Sequence, residues 1–234
     1  MVMKNRKKIL IISLTLLASF TCAAETVTKG MKKVIDDALD FSVKQSMSMF
    51  YEMKDQKGIL PRTAENGKMI TCESAWWTSG FYPGTLWYCY EYSNDPQIRA
   101  AAEEMTSRVE KQKYTTSNHD VGFIINCSFG NGYRLTHNET YRKVIETAAK
   151  SLSTRFHPVT GCTRSWNSKK WQFSVIIDNM MNLELLNVAS SLTGDNTYYN
   201  MAKSHADRTM INHFRPDGSS YHVVSYDTIT GKVL

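Results

Sequence analysis

Val175-Ile-Ile-Asp-Asn-Met-Met-Asn-Leu-Glu-Leu-Leu186 decides the fold of this chain. Asp178 follows three aliphatic residues and opens a run (Met180, Met181, Leu183, Leu185, Leu186, Val188, Ala189) that is apolar on nearly every side. A helix hydrophobic all round is a buried one. Asp suits the start of a helix, because its carboxylate accepts from free backbone N–H groups and meets the positive end of the dipole. Asp178 is therefore expected at the mouth of a buried helix, either as a plain cap or as an acid with chemistry to do.

Working outward, the run is stopped by Gly194 and recapped by Asp195, which starts a helix carrying Tyr198, Tyr199, Ala202 and His205 and ending near Phe214. The same grammar occurs twice upstream. His119-Asp-Val-Gly-Phe123 opens an apolar helix to Phe129; a Gly-Asn-Gly turn at 130–132 follows, and Asn138 caps a helix with Tyr141, Val144, Ile145, Ala148, Ala149 and Leu152. Residues 81–92 read as an apolar and aromatic helix, and Asn94-Asp95-Pro96 gives a stop, a cap and a first-turn proline for a helix to about Lys111. A leading amphipathic helix spans 27–54, and residues 58–67 read as a Gly-, Pro- and Asn-rich loop. Residues 215–231 alternate and turn like a short β-hairpin. The unit is a buried helix, a tight turn, a capped amphipathic helix and a long loop back. Its uneven spacing excludes a solenoid of fixed repeat. Buried and amphipathic helices in alternation suit an inner ring wrapped by an outer one, so an all-α fold is expected.

The bulk numbers fit a globular protein: 234 residues, 42% hydrophobic and 21% charged. The net charge of +6 is misleading. Lys4, Arg6, Lys7 and Lys8 lie in the first 24 residues, which hold no acid, and the remainder is near +2. Nucleic acid is therefore not an expected partner. Residues 1–24 read as a signal peptide: a basic start, an apolar run from Ile9 to Phe20, then Cys22-Ala-Ala24. The run is too short for a stable membrane span. Export, most simply to a periplasm, is the expectation; a lipid anchor on Cys22 is the lesser alternative, since Phe20-Thr21 is a poor lead-in. Residues 25–234 are expected to form part of a single domain. Cys72, Cys89, Cys127 and Cys162 are widely spaced without a Cys-x-x-Cys, so no structural zinc is indicated. Buried free thiols are expected, with one disulfide as an alternative.

If the buried helices run the same way, the loops before them share one end. Those loops carry Trp76, Trp77, His119, Asp120, Trp166, Trp171 and Asp178. Two carboxylates ringed by indoles make a sugar site: indole faces stack on pyranose rings and the acids handle protons. Trp87, inside a helix, is expected in the core instead.

Four blocks then carry a resemblance. Trp77-Thr-Ser-Gly-Phe-Tyr-Pro-Gly-Thr-Leu-Trp87, His119-Asp-Val-Gly-Phe123, Ile177-Asp-Asn-Met-Met-Asn182 and Arg215-Pro-Asp-Gly-Ser-Ser-Tyr-His222 resemble, in order, those of the unsaturated glucuronyl hydrolases, glycoside hydrolase family 88. The resemblance covers roughly residues 30 to 234. It implies an (α/α)6 barrel and an enzyme acting on unsaturated uronic-acid oligosaccharides left by polysaccharide lyases. The family hydrates the C4=C5 double bond of the terminal sugar, and the hemiketal formed opens to release the next one. The carboxylate-separation rule for ordinary glycosidases does not apply to that chemistry. By the matched motifs Asp178 resembles the general acid/base and Asp120 the second, substrate-orienting carboxylate; Trp77, His119, Trp166 and His222 resemble substrate-contacting positions. No cofactor and no metal are implied.

Two other readings compete. An unsaturated rhamnogalacturonyl hydrolase would share the architecture and chemistry, and a catalytically silent sugar-binding protein would share the site. Seven helices are expected, about half of the twelve in a closed (α/α)6 barrel, so the chain is expected to hold about half of the barrel. Association state is left open by the sequence.

Overall fold

The computed structural model describes residues 28–234; the expected signal peptide and Cys22 lie outside them. Two compact units divide the described chain, one ending at Asp40 and one running from Phe41 to Leu234. Helix α1 (Lys29–Met53) crosses that division. In its first stretch Lys32 and Lys33 pair with Asp36 and Asp37 one turn on, while Met31, Val34, Ile35 and Leu39 are exposed. The apolar stripe expected along the whole helix is thus buried only later, where Met47, Met49, Phe50 and Met53 join a cluster with Tyr82, Leu86, Trp87 and Met105.

The unit from Phe41 onward opens with a hairpin, β1 (Ile59–Glu65) against β2 (Lys68–Glu73). The sequence reading had a loop here. Asn66 and Gly67 both adopt positive φ, the two-residue turn whose twist matches paired strands. Three helical hairpins follow. The first is α2 (Phe81–Ser93) with α3 (Pro96–Ser107), and a 3-10 turn (Glu110–Tyr114) replaces the last expected turn of α3. In the second, α4 (Val121–Ile125), a π-helical turn (Asn126–Gly130) and α5 (Asn131–Thr136) run on as one rod, which then packs on α6 (Glu139–Ser153). The third is α7 (Asn179–Thr193) with α8 (Asn196–Asn212). Counting that rod once, the described residues hold the seven helices expected, and the three hairpins are half of the six that close an (α/α)6 barrel.

Local chemistry explains the joints. Asn94, His137 and Gly194 each end a helix in the left-handed region. Asp95, Asn138 and Asp195 then restart the chain from extended backbone, their side chains accepting from Gln97, Thr140 and Thr197 N–H. The Gly-Asn-Gly turn expected at 130–132 does not form. The helix runs through it, because Gly132 is used for packing: a Cβ there would lie 2.7 Å from the Tyr141 ring.

Glycine also sets how closely the inner helices approach. A Cβ on Gly80 would sit 2.3 Å from Ile124 O, one on Gly84 2.6 Å from Cys127 O, and one on Gly122 2.6 Å from Asn182 Cα. The core between layers holds Ile124, Ile125, Phe129, Ile145, Leu152, Leu185 and Leu186, all fully or almost fully buried. Trp87 is buried as expected, its Nε1 donating to Thr106 Oγ1. One expectation fails: α7 is not apolar-faced on all sides, since Met180, Met181, Glu184, Asn187 and Ser191 are exposed. Together with α2, the π-helical turn and α5, the part of that face from Glu184 to Leu192 lines an open groove of about 840 Å³.

Short strands fill the loops between hairpins. β3 (Phe156–His157) pairs with β4 (Cys162–Thr163), and β5 (Ser174–Ile176) pairs antiparallel with β6 (Val223–Ser225). The closing segment therefore folds onto the loop before α7, and it also turns back on itself through antiparallel bridges at Phe214–Ser220 and Tyr226–Val233. The four cysteines among the described residues, Cys72, Cys89, Cys127 and Cys162, are free. No helix among the described residues is long and apolar enough to cross a membrane.

Candidate active site

Asp120 and Asp178 occupy the residue before α4 and the residue before α7, the positions where an aspartate would ordinarily cap. Neither caps. Both have helical backbone angles (φ −65°, ψ −9° and φ −69°, ψ −11°), and neither side chain makes a capping hydrogen bond, although the amides of Asp178 and Asn179 still draw on the Asp178 carboxylate. Asp178 Oδ1 is buried without a partner. The three true caps at Asp95, Asn138 and Asp195 are extended and bonded, so the plain-cap reading of Asp178 is set aside.

The two carboxyls interact. Burial first, and then the Asp178 charge, raise the Asp120 pKa to about 6, against a pull downward from Arg155. Burial also raises Asp178, opposed by the His222 charge and by the backbone amides at its own helix start. Like charges brought together out of water keep a proton between them. Such a pair holds an acid and a base at once.

His119 lies beside them. It is buried, with Nε2 3.4 Å from Asp120 Oδ1. Burial holds its pKa down at about 4, the Asn179 amide raises it and the Arg155 charge lowers it further. The ring is therefore neutral near neutral pH. Its main chain is pinned as His119 N–H donates to Ser165 O, and Asn118 bridges to Trp166. The segment holding Trp166 thereby reaches the Asp120 loop, and Trp166 and Trp171 meet edge to face, their centroids 6.3 Å apart. Trp77 is exposed and packs on Phe81 and Phe123, and Phe123 in turn meets His119. His222 is exposed, its charge acts on Asp178, and its carbonyl accepts from Ile177 N–H. All six residues singled out from the sequence thus connect to one end of the inner helices.

Three buried residues here were not singled out. Arg155 donates to Arg164 O and Thr116 O, and burial lowers its pKa to about 10; its charge bears on both Asp120 and His119. Asn182 Oδ1 accepts from Phe123 N–H at 2.7 Å, tying α7 to the first turn of α4. Asn179 Nδ2 donates to Thr163 O at 2.7 Å. Arg155 had no local signal, whereas the two asparagines lie in the Asp-Asn-Met-Met-Asn block, and polar residues at core positions of a buried run were the available clue. No cluster of three His, Cys, Asp or Glu side chains able to hold a metal ion occurs among the described residues.

Comparison with known proteins matches this geometry to a defined group. No family model matches the chain. It is 48% identical over 160 residues to an unsaturated glucuronyl hydrolase of Formosa agariphila, covering 67% of this chain and 40% of that protein. An unsaturated chondroitin disaccharide hydrolase of Streptococcus pyogenes serotype M1 is 33% identical over 204 residues, covering 84% of this chain and 50% of the relative. The crystal structure of an unsaturated glucuronyl hydrolase specific for heparin superposes with a TM-score of 0.79 at 43% identity, covering 85% of this chain and 54% of that one. The chain spans about half the length of the curated relatives it matches.

Proposed function

Since the chain belongs to the unsaturated glucuronyl hydrolases over the half of their length that it matches, we propose that it removes 4,5-unsaturated uronic acid from the non-reducing end of lyase-generated oligosaccharides. The observation that carries this reading is the pair of aspartates at cap positions that cap nothing and hold raised pKa values.

The chemistry follows from that pair. A protonated Asp178 gives its proton to C4, the C4=C5 π pair forms the new C–H bond, and the charge at C5 is shared with the ring oxygen. Water adds at C5 and returns a proton to the carboxylate, so one water is consumed and the acid is restored. The hemiketal opens and the next sugar leaves. Asp120 orients the substrate and shares one proton with Asp178, the proton resting on Asp120 beside the Asp178 charge and moving to Asp178 for transfer to C4. Trp77 and Trp166 offer indole faces to the sugar rings, and His119 and His222 contribute polar contacts beside the acids. Export to a periplasm belongs to the same proposal, because lyase products arise outside the cytoplasm.

The test is loss of the ultraviolet absorbance of the conjugated double bond when the chain meets a panel of lyase-generated disaccharides. Glycosaminoglycan-derived substrates are expected to react; turnover confined to pectin-derived ones would select the rhamnogalacturonyl reading. A second reading, sugar binding without turnover, predicts retention of the disaccharide with its absorbance intact.

A further inference from the structure

A line of polar contacts runs from helix α8 to the carboxylate pair. His205 is fully buried, and its Nδ1 accepts from Thr163 N–H at 2.9 Å. An imidazole nitrogen that accepts from an amide carries no proton, so His205 is neutral with its proton on Nε2. The other side of the same residue, Thr163 O, accepts from Asn179 Nδ2. That bond fixes the Asn179 amide, which acts on the His119 ring and inclines it to hold a proton. His119 Nδ1 and Asn179 Oδ1 are both buried, and neither has a hydrogen-bond partner. A proton on His119 Nδ1, shared with Asn179 Oδ1, satisfies both atoms and leaves the Nε2 lone pair facing Asp120.

We infer that His205 is a positioning residue for the proposed reaction: through Thr163 and Asn179 it selects the tautomer of His119 that accepts from Asp120. The rest of the α8 face supports that role by holding the turn just before the same strand. Ser204 Oγ donates to Gly161 O, and Arg208 Nε donates to Thr160 O. The segment that carries Thr163 is gripped by Ser204, His205 and Arg208 of one helix, of which only His205 lies on the line to the site. Charged or titratable neighbours acting on His205 are His213 from its own helix and His119 from the loop before α4. Those acting on the His119–Asp120 pair are Arg155 and Asp178.

The inference rests on the proposed function only for its kinetic arm. The comparison is His205→Leu, which removes the acceptor, with His205→Asn, whose Oδ1 falls near the place of Nδ1. In the full chain, nitrogen-resolved NMR of the His119 ring is expected to show the Nδ1–H tautomer in wild type and His205→Asn, and a mixture in His205→Leu. With an unsaturated disaccharide, His205→Leu is expected to lower kcat about tenfold or more, with KM little changed and the basic limb of the pH profile displaced; His205→Asn restores most of the rate. A folded His205→Leu with wild-type His119 signals overturns the inference, as does an Asn variant no better than Leu. Should the Leu variant fail to fold, His205→Gln, whose amide reaches the Nε2 place instead, stands in for it under the same criteria. A wild-type chain without turnover would count against the proposed function, while the NMR comparison still decides the role of His205.

Discussion

At the scale of single residues, the two aspartates make opposite demands on stability and reactivity. Asp178→Asn is expected to lower turnover to under about a hundredth of wild type, because the amide matches the acid in shape but transfers no proton. Disaccharide binding should stay within a few-fold, and titration of binding beside rate measures both; turnover above that level rejects the assignment. For Asp120 the argument concerns pH. Its pKa rises from 3.8 to about 6 on folding, so between those values the folded state keeps a proton that the unfolded chain has lost. Stability from this group is full below pH 3.8 and is lost as pH rises through about 6, a swing of up to roughly 3 kcal/mol. His119 and His205, whose pKa values are lowered by burial, work in the opposite sense. The variant-minus-wild-type difference isolates the aspartate: Asp120→Asn should gain stability over wild type from pH 4 to pH 7, as read from denaturant unfolding at each pH. The same variant should lower the basic-limb pKa of the rate profile, because Asp178 loses the neighbour that helps it keep a proton. A profile that does not move would confine Asp120 to binding.

At the scale of elements, the caps sort themselves by what they bond. Asp95→Ala, Asn138→Ala and Asp195→Ala each remove a bonded cap and should cost about 1 kcal/mol in denaturant unfolding. Asp178→Ala breaks no such bond and should cost less than any of them, which separates a site aspartate from a structural one without substrate. Gly122→Ala tests the helix contacts. Its Cβ would fall 2.6 Å from Asn182 Cα, and forcing α4 off α7 should cost about 1–3 kcal/mol, with the Tm falling accordingly. The joints were legible in sequence because Asn94-Asp95-Pro96, Asn138 and Gly194-Asp195 act on their own neighbours. Gly130-Asn-Gly132 reads as a turn and is helical instead, since Gly132 serves contact with Trp87, far away in sequence, and with Tyr141 of the next helix. The β1–β2 hairpin was missed for a different reason: its signal is a two-residue turn inside a polar stretch with little alternation. In the site, Asp120 and Asp178 were readable from their motifs. Arg155 was not, because its role comes from a fold that buries it against carbonyls from two other segments.

At the scale of the whole molecule, the inner helices of the unit from Phe41 onward present Tyr88, Met180 and Met181 to solvent beside the groove. Apolar surface left in water on this scale favours association. Sedimentation of residues 25–234 over a range of concentrations is expected to show self-association; a monomer at every concentration that also melts cooperatively would refute it. The glycine contacts have a further consequence. Gly80 and Gly84, on the approach to and in α2, receive α4 and the π-helical turn after it, and Gly122 in α4 receives α7. Each of these three bare backbone patches is translated before the helix that fills it. A ribosome adding residues in order thus releases these seats ahead of their occupants, and the hairpins can dock one at a time as they emerge.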